Sequence, residues 1–170
     1  MTAGRSGEVR GATWAEIDLR EGTWTIPHGR MKAGRGHRVP LTKPALAILE
    51  KMAELRTDGR PGALVFPGGR SGRPLSDVAL AKAIRAAGWT DATTHGFRSS
   101  FRDWCAEATN YPRELAEKAL AHTLSDKVEA AYQRGDMFDK RRRLMSEWTE
   151  FCARPILAAE VVPIRAEIGA

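Results

Sequence analysis

Apolar residues along this chain keep two rhythms. Ile17 and Leu19 alternate with polar neighbours, Glu21 and Gly22 interrupt, and Trp24 and Ile26 alternate again. That pattern predicts two short strands around a turn, because side chains of a strand point to opposite faces in a period of two. The glycine-rich stretch "HGRMKAGRGHRVPL" then predicts a turn bearing Lys32 and a third strand around Arg38 and Val39. From Thr42 the spacing becomes helical. Leu46, Ile48, Leu49, Met52 and Leu55 fall on one stripe, Thr42 is placed to cap it, and Pro44 is tolerated in the first turn. Residues 56–76 read as loop broken by a brief apolar "ALVF". Ser76 caps a helix from Asp77 to about Ala87, closed by Gly88. Further helices are predicted over about 95–108 after Thr94, from Pro112 to about Ala121, around 126–133 with Tyr132, and from Phe138 to Ala153. A short helical run from Glu8 to Trp14 opens the chain. The class predicted is α+β, mainly α-helical, with a small three-stranded antiparallel sheet. Residues 1–153 form one domain and 154–170 an apolar tail.

Charge adds a partner to this picture. The 170 residues carry a formal net charge of +6, which favours a polyanion. Arg30, Lys32, Arg35, His37 and Arg38 form one basic cluster, and Lys140 to Arg143 a second. With Asp136, Asp139 and Glu147 nearby, the second reads equally as a solvated helix face. Cys105 and Cys152 have no metal-site spacing and are read as reduced thiols. No apolar run is long enough to cross a membrane, and the N-terminus has no signal-peptide pattern, so a cytoplasmic protein is expected.

Candidate chemistry centres on "THGFRSSFRDWC". His95 and Arg98 stand three apart at a predicted helix start, where free backbone N–H groups favour an anion such as phosphate. A solvated helix face explains the pair equally well. Arg5 taken alone is a surface charge, Lys32 a solvated loop residue, His122 a cap on a helix C-terminus and Tyr132 a core tyrosine.

Taken in order, "GRSGEVRGATWAEIDL", "MKAGRGHRVPLT", "HGFRSSFRDW" and "LAHTLSDKVEAAYQR" resemble the catalytic domain of a tyrosine recombinase, in the manner of a prophage or genomic-island integrase. The resemblance spans about Thr2 to Cys152. It implies that Arg5 is the family's first arginine, Glu8 its acidic buttress and Lys32 the sheet lysine. It also makes His95 and Arg98 the His-x-x-Arg box, His122 the second histidine and Tyr132 the nucleophile. The implied reaction is a transesterification through a 3′-phosphotyrosyl link, with no metal and no cofactor. The implied partners are double-stranded DNA and further recombinase protomers, a tetramer for the full-length protein. Arg30, Arg35 and Arg38 would then grip phosphates beside the scissile one.

Two other readings share these residues: a truncated, non-catalytic DNA-binding remnant, and a type IB topoisomerase-like enzyme. The Gly-Glu pair after Arg5 and the short interval from His122 to Tyr132 favour an integrase. Tyr111, the other tyrosine, precedes Pro112 at a helix start and is read as structural. Against the family pattern, the N-terminal DNA-gripping parts and the helices before the first arginine motif are expected to be lacking, which would leave apolar faces uncovered and DNA affinity weak. The tail after Arg154 is expected to pack on a neighbouring protomer or back in cis.

Overall fold

The computed structural model describes residues 1–70, 72–122 and 135–155. Helix α1 (Ser6–Arg10) leads through a single 3-10 turn (Trp14–Glu16) into β1 (Ile17–Asp18), β2 (Thr23–Ile26) and β3 (His37–Pro40). These make one antiparallel sheet in the order β1-β2-β3, with Trp24 opposite both Ile17 and Val39. Gly22 turns the first hairpin at φ +58, a left-handed conformation that glycine adopts without steric cost. The helices that follow are α2 (Lys43–Glu54), α3 (Asp77–Ala86), α4 (Gly96–Glu107), α5 (Arg113–Ala119) and α6 (Phe138–Ala153). The mainly helical α+β class and the three-stranded sheet are as the sequence predicts. The short helix predicted around Tyr132 and most of the tail lie outside the described residues.

Several local expectations change for physical reasons. Helix α1 covers only Ser6–Arg10, because residues 12–14 pair sideways with the "ALVF" segment instead of extending the helix. The Trp14 amide donates to the Ala63 carbonyl at 3.0 Å and the Val65 amide to the Ala12 carbonyl at 2.8 Å. Thr42 sits at the N-cap of α2 but does not cap it with its side chain; its hydroxyl accepts from Thr149 on α6 at 3.2 Å. The α2 stripe is narrower than predicted. Ala45 and Leu49 are buried, while Ile48 and Leu55 are exposed. At α4 the N-cap residue is His95, and the side-chain acceptor comes from Thr93 ahead of it, whose hydroxyl accepts from the Gly96 amide at 2.9 Å. Ser76 caps α3 as expected, accepting from the Ala79 amide at 3.1 Å, and Gly88 closes it at φ +88.

Two apolar clusters organise the molecule. One gathers the sheet, α2 and the 64–66 segment around Trp24, Ile26, Val39, Leu41, Leu49 and Val65. The other gathers α4, α5 and α6 around Phe101, Cys105, Leu115, Leu120, Leu144 and Trp148. The clusters interlock: Ala121, from just beyond α5, packs on the first, and Ala3, from just before α1, packs on the second. Residues 3–8 and 119–122 therefore meet at the seam between them.

Helix α6 bolts the seam from behind. Arg141 follows the period of Leu144, Met145 and Trp148, so its guanidinium is carried inside with them and is only 1% exposed. There it donates to the Arg38 carbonyl on β3 at 2.6 Å and to the Asp136 carbonyl at 2.7 Å. Arg142 donates to the Glu21 carbonyl at 2.9 Å and lies over the Phe138 ring. For these two arginines, the solvated-face reading of the second basic cluster does not hold.

Candidate active site

Arg98 reaches across the seam. It lies on the first turn of α4, where the helix turns it inward, and is 6% exposed. One terminal nitrogen donates to the Ala3 carbonyl, and the other donates to the Leu120 carbonyl at 2.8 Å. Arg5 approaches from the opposite side. Its Nη2 donates to the Ala121 carbonyl at 3.4 Å, and its Nη1 meets Glu8 Oε1 at 2.7 Å. Glu8 also reaches back with Oε2 to accept the Arg5 amide at 2.8 Å, which closes the first turn of α1. The two guanidiniums thus converge on the C-terminal end of α5.

That helix end is shaped to receive them. The His122 amide donates to the Glu117 carbonyl at 3.0 Å and the Ala121 amide to the Lys118 carbonyl at 3.2 Å. This pairing is a Schellman motif, with Ala121 in the left-handed conformation at φ +49. The turn leaves the Leu120 and Ala121 carbonyls free at the negative end of the helix dipole, facing the arginines. It also folds His122 over the end, where its Nε2 lies 3.3 Å from Arg98 Nη2. Its Nδ1 lies 2.6 Å from Glu117 Oε2.

The electrostatics favour an anion. Burial, together with the nearby positive charge of Arg5, lowers the pKa of Arg98, and the Glu8 carboxylate offsets part of this. Of these two neighbouring cations only Arg5 bonds a carboxylate directly, so an incoming phosphate relieves their repulsion and takes up their N–H donors. Glu117 is a buried carboxylate with its own partners. Burial alone would raise its pKa, but hydrogen bonds from Arg102 and His122 bring it below the ordinary value.

The remaining expected residues lie around this centre. Lys32 and Arg35 are exposed in the turn between β2 and β3, ahead of Gly34 at φ +62 and of β3 respectively. His95 stands exposed at the N-cap of α4, and its ring makes no hydrogen bond among the described residues. Arg38 is half exposed over the Phe138 ring, with its centroid 4.1 Å away. Arg30, expected at the DNA backbone, instead turns inward. It pairs with Glu16, whose carboxylate also accepts the Trp24 indole N–H at 2.9 Å, and it donates to the Glu8 carbonyl. It therefore braces α1. Tyr132 lies outside the described residues. Tyr111 donates its hydroxyl to Glu147 at 2.5 Å, and that bond, followed by burial, pushes its pKa up to about 12. A phenol held in this way is a poor nucleophile.

Sequence reasoning missed Glu117 and the part played by His37. His37 begins β3 beside Arg5, Glu8 and Arg141 and hydrogen-bonds the Ala119 backbone. Burial and the Arg141 charge lower its pKa to about 4, so it is a neutral strut between the sheet and α5. The spacing Glu117-x4-His122, which spans the end of a helix, was the available signal for the first.

The fold is that of a recombinase: the crystal structure of XerA recombinase superposes with a TM-score of 0.60 over 91% of this chain and 55% of that one, at 15% identity. The sequence pattern of the phage integrase family matches residues 1–137, and the chain belongs to that family. Prophage integrase IntA of Escherichia coli (strain K12) is 36% identical over 152 residues, 88% of this chain and 36% of the relative. Prophage integrase IntZ of the same strain is 33% identical over 168 residues, covering 98% and 40%. The integrase of Enterobacteria phage P4 is 30% identical, covering 89% and 38%. The chain thus spans well under half the length of these curated relatives.

Proposed function

We propose that this chain is the strand-cleaving part of a site-specific DNA recombinase. The observation that supports this most is the convergence of Arg5 and Arg98, 93 positions apart in sequence, on one helix end beside His122. A scissile phosphodiester seated there exchanges the Ala3, Leu120 and Ala121 carbonyls for its non-bridging oxygens as guanidinium partners. Such donors, fixed before the reaction begins, stabilise the charge that develops on phosphorus-bound oxygen by roughly 3 kcal/mol each.

The Tyr132 oxygen attacks phosphorus and forms the 3′-phosphotyrosyl bond while the bond to the 5′ oxygen breaks. His95 accepts the phenol proton and Lys32 supplies a proton to the departing 5′ oxygen. Both stand exposed on loops or helix starts where DNA can reach them. The reverse steps join the stored phosphate to a 5′ hydroxyl of another strand. Arg35 and Arg38 hold flanking phosphates, and partner protomers bound to a second duplex bring in the strand to be joined.

A nicked suicide duplex carrying a candidate attachment site tests the reading. The protein is expected to give a covalent protein–DNA adduct. Tyr132→Phe should abolish it, and Arg98→Lys should slow it by about a hundredfold or more, since lysine cannot fork onto the phosphate. An adduct that persists in Tyr132→Phe and maps to Tyr111 would overturn the assignment. DNA binding without any adduct would favour the remnant.

A further inference from the structure

We infer that Glu117 is a positioning residue that fixes the tautomer and orientation of His122 at the phosphate site; its consequence for catalysis rests on the recombinase reading above. The argument starts from the donor inventory. Arginine has no acceptor, so the 3.3 Å contact between Arg98 Nη2 and His122 Nε2 is a hydrogen bond only if Nε2 carries a lone pair. The ring proton then sits on Nδ1, which donates to Glu117 Oε2 at 2.6 Å. The other oxygen of Glu117 is occupied by Arg102 Nε at 3.0 Å, with Arg113 Nε at 3.9 Å. The Glu117 side chain is 11% exposed, so water does not compete freely for it.

Local structure builds this pair. Glu117 and His122 occupy the two ends of the 6→1 backbone bond of the Schellman motif that closes α5. The same turn that stops the helix therefore sets imidazole against carboxylate and aims Nε2 at the arginines. When a phosphate oxygen takes the place of that contact, a ring held at Nδ1 by a carboxylate can gain a proton at Nε2 from solvent and donate it to the phosphate. Glu117 balances the resulting charge.

The tautomer can be read directly. In protein with 15N-labelled histidine at about pH 8, where an ordinary imidazole is neutral, long-range 15N–1H correlations should show His122 as the Nδ1–H form. In Glu117→Gln the single amide oxygen goes to Arg102, so the NH2 group faces Nδ1 and the ring should switch to Nε2–H. Adding Arg102→Ala frees that oxygen to turn back and should restore Nδ1–H. A wild-type ring in the Nε2–H form, or no switch in a folded Glu117→Gln, overturns the inference. The wild-type spectrum alone decides the matter if the variant does not fold.

On the suicide duplex, Glu117→Gln should slow adduct formation at least tenfold with DNA affinity unchanged, and the double variant should recover part of the rate. Equal rates for wild type and Glu117→Gln would count against a positioning role. The Nδ1–H form in the wild type with no adduct from any variant would leave the pair standing and tell against the recombinase reading instead.

Discussion

His37 carries a stability consequence that belongs to a single ring. Its pKa in the folded chain is about 4, lowered first by burial and then by the charge of Arg141, with Arg5 acting in the same direction and Glu8 and the Ala119 backbone bond opposing. The unfolded chain protonates an ordinary histidine near 6.5. The contribution of this residue is therefore intact above about pH 6.5 and is lost as pH falls toward 4, because only the unfolded state takes up the proton over that interval. Thermal unfolding between pH 7 and pH 4 should show a smaller loss of Tm in His37→Asn than in the parent chain. At this scale the sequence was half legible. Arg5 and Arg98 could be named from motif order, and they meet in space. Arg30 could not be told from a DNA-facing arginine, because what turns it inward is Glu16, 14 positions away and itself anchored to Trp24. Charge along a sequence does not reveal which side chain finds a buried partner.

Helix ends are the elements that matter most here. Both α3 and α5 stop in Schellman motifs, yet α3 uses Gly88 in the left-handed position and α5 uses Ala121. A β-carbon in that conformation costs roughly 1 kcal/mol. Ala121→Gly should therefore raise Tm by about 2 °C in scanning calorimetry, a shift appropriate to that energy in a domain of this size. The strain is held by the contacts of Ala121 with the sheet-side cluster and by the carbonyls it presents to Arg5. Pattern reading found every described strand and placed α6 at its observed bounds, because their apolar periods are regular. It failed at the caps of α2 and α4. A capping hydroxyl is chosen by local geometry and tertiary competition: Thr42 is taken by Thr149, and the Gly96 amide finds Thr93, three residues back, rather than the expected Thr94.

Across the whole molecule, the two apolar clusters are joined by polar ties. Arg141 is the central one, buried at 1% and bonded to the backbone on both sides. Removing a buried charged donor leaves carbonyls unpaired and a void behind, so Arg141→Ala should lose about 3 kcal/mol in urea unfolding. An exposed change such as Lys43→Ala should stay within about half a kcal/mol. Sequence periodicity could have placed Arg141 inside, since it shares the stripe of Leu144, Met145 and Trp148. Its charge argued the other way, and burial against the Arg38 and Asp136 carbonyls, with the Asp136 carboxylate 3.3 Å away, is not written in any local pattern.

The seam has a mechanical meaning as well. One side of it is the lobe around the sheet-side cluster, the other the lobe around the cluster of α4, α5 and α6. A bound polyanion would act as a rivet, gripped by a guanidinium rooted on each side, and any breathing of the lobes would loosen the grip before either interior melted. Substrate and scaffold would then tighten together, each damping the motion of the other.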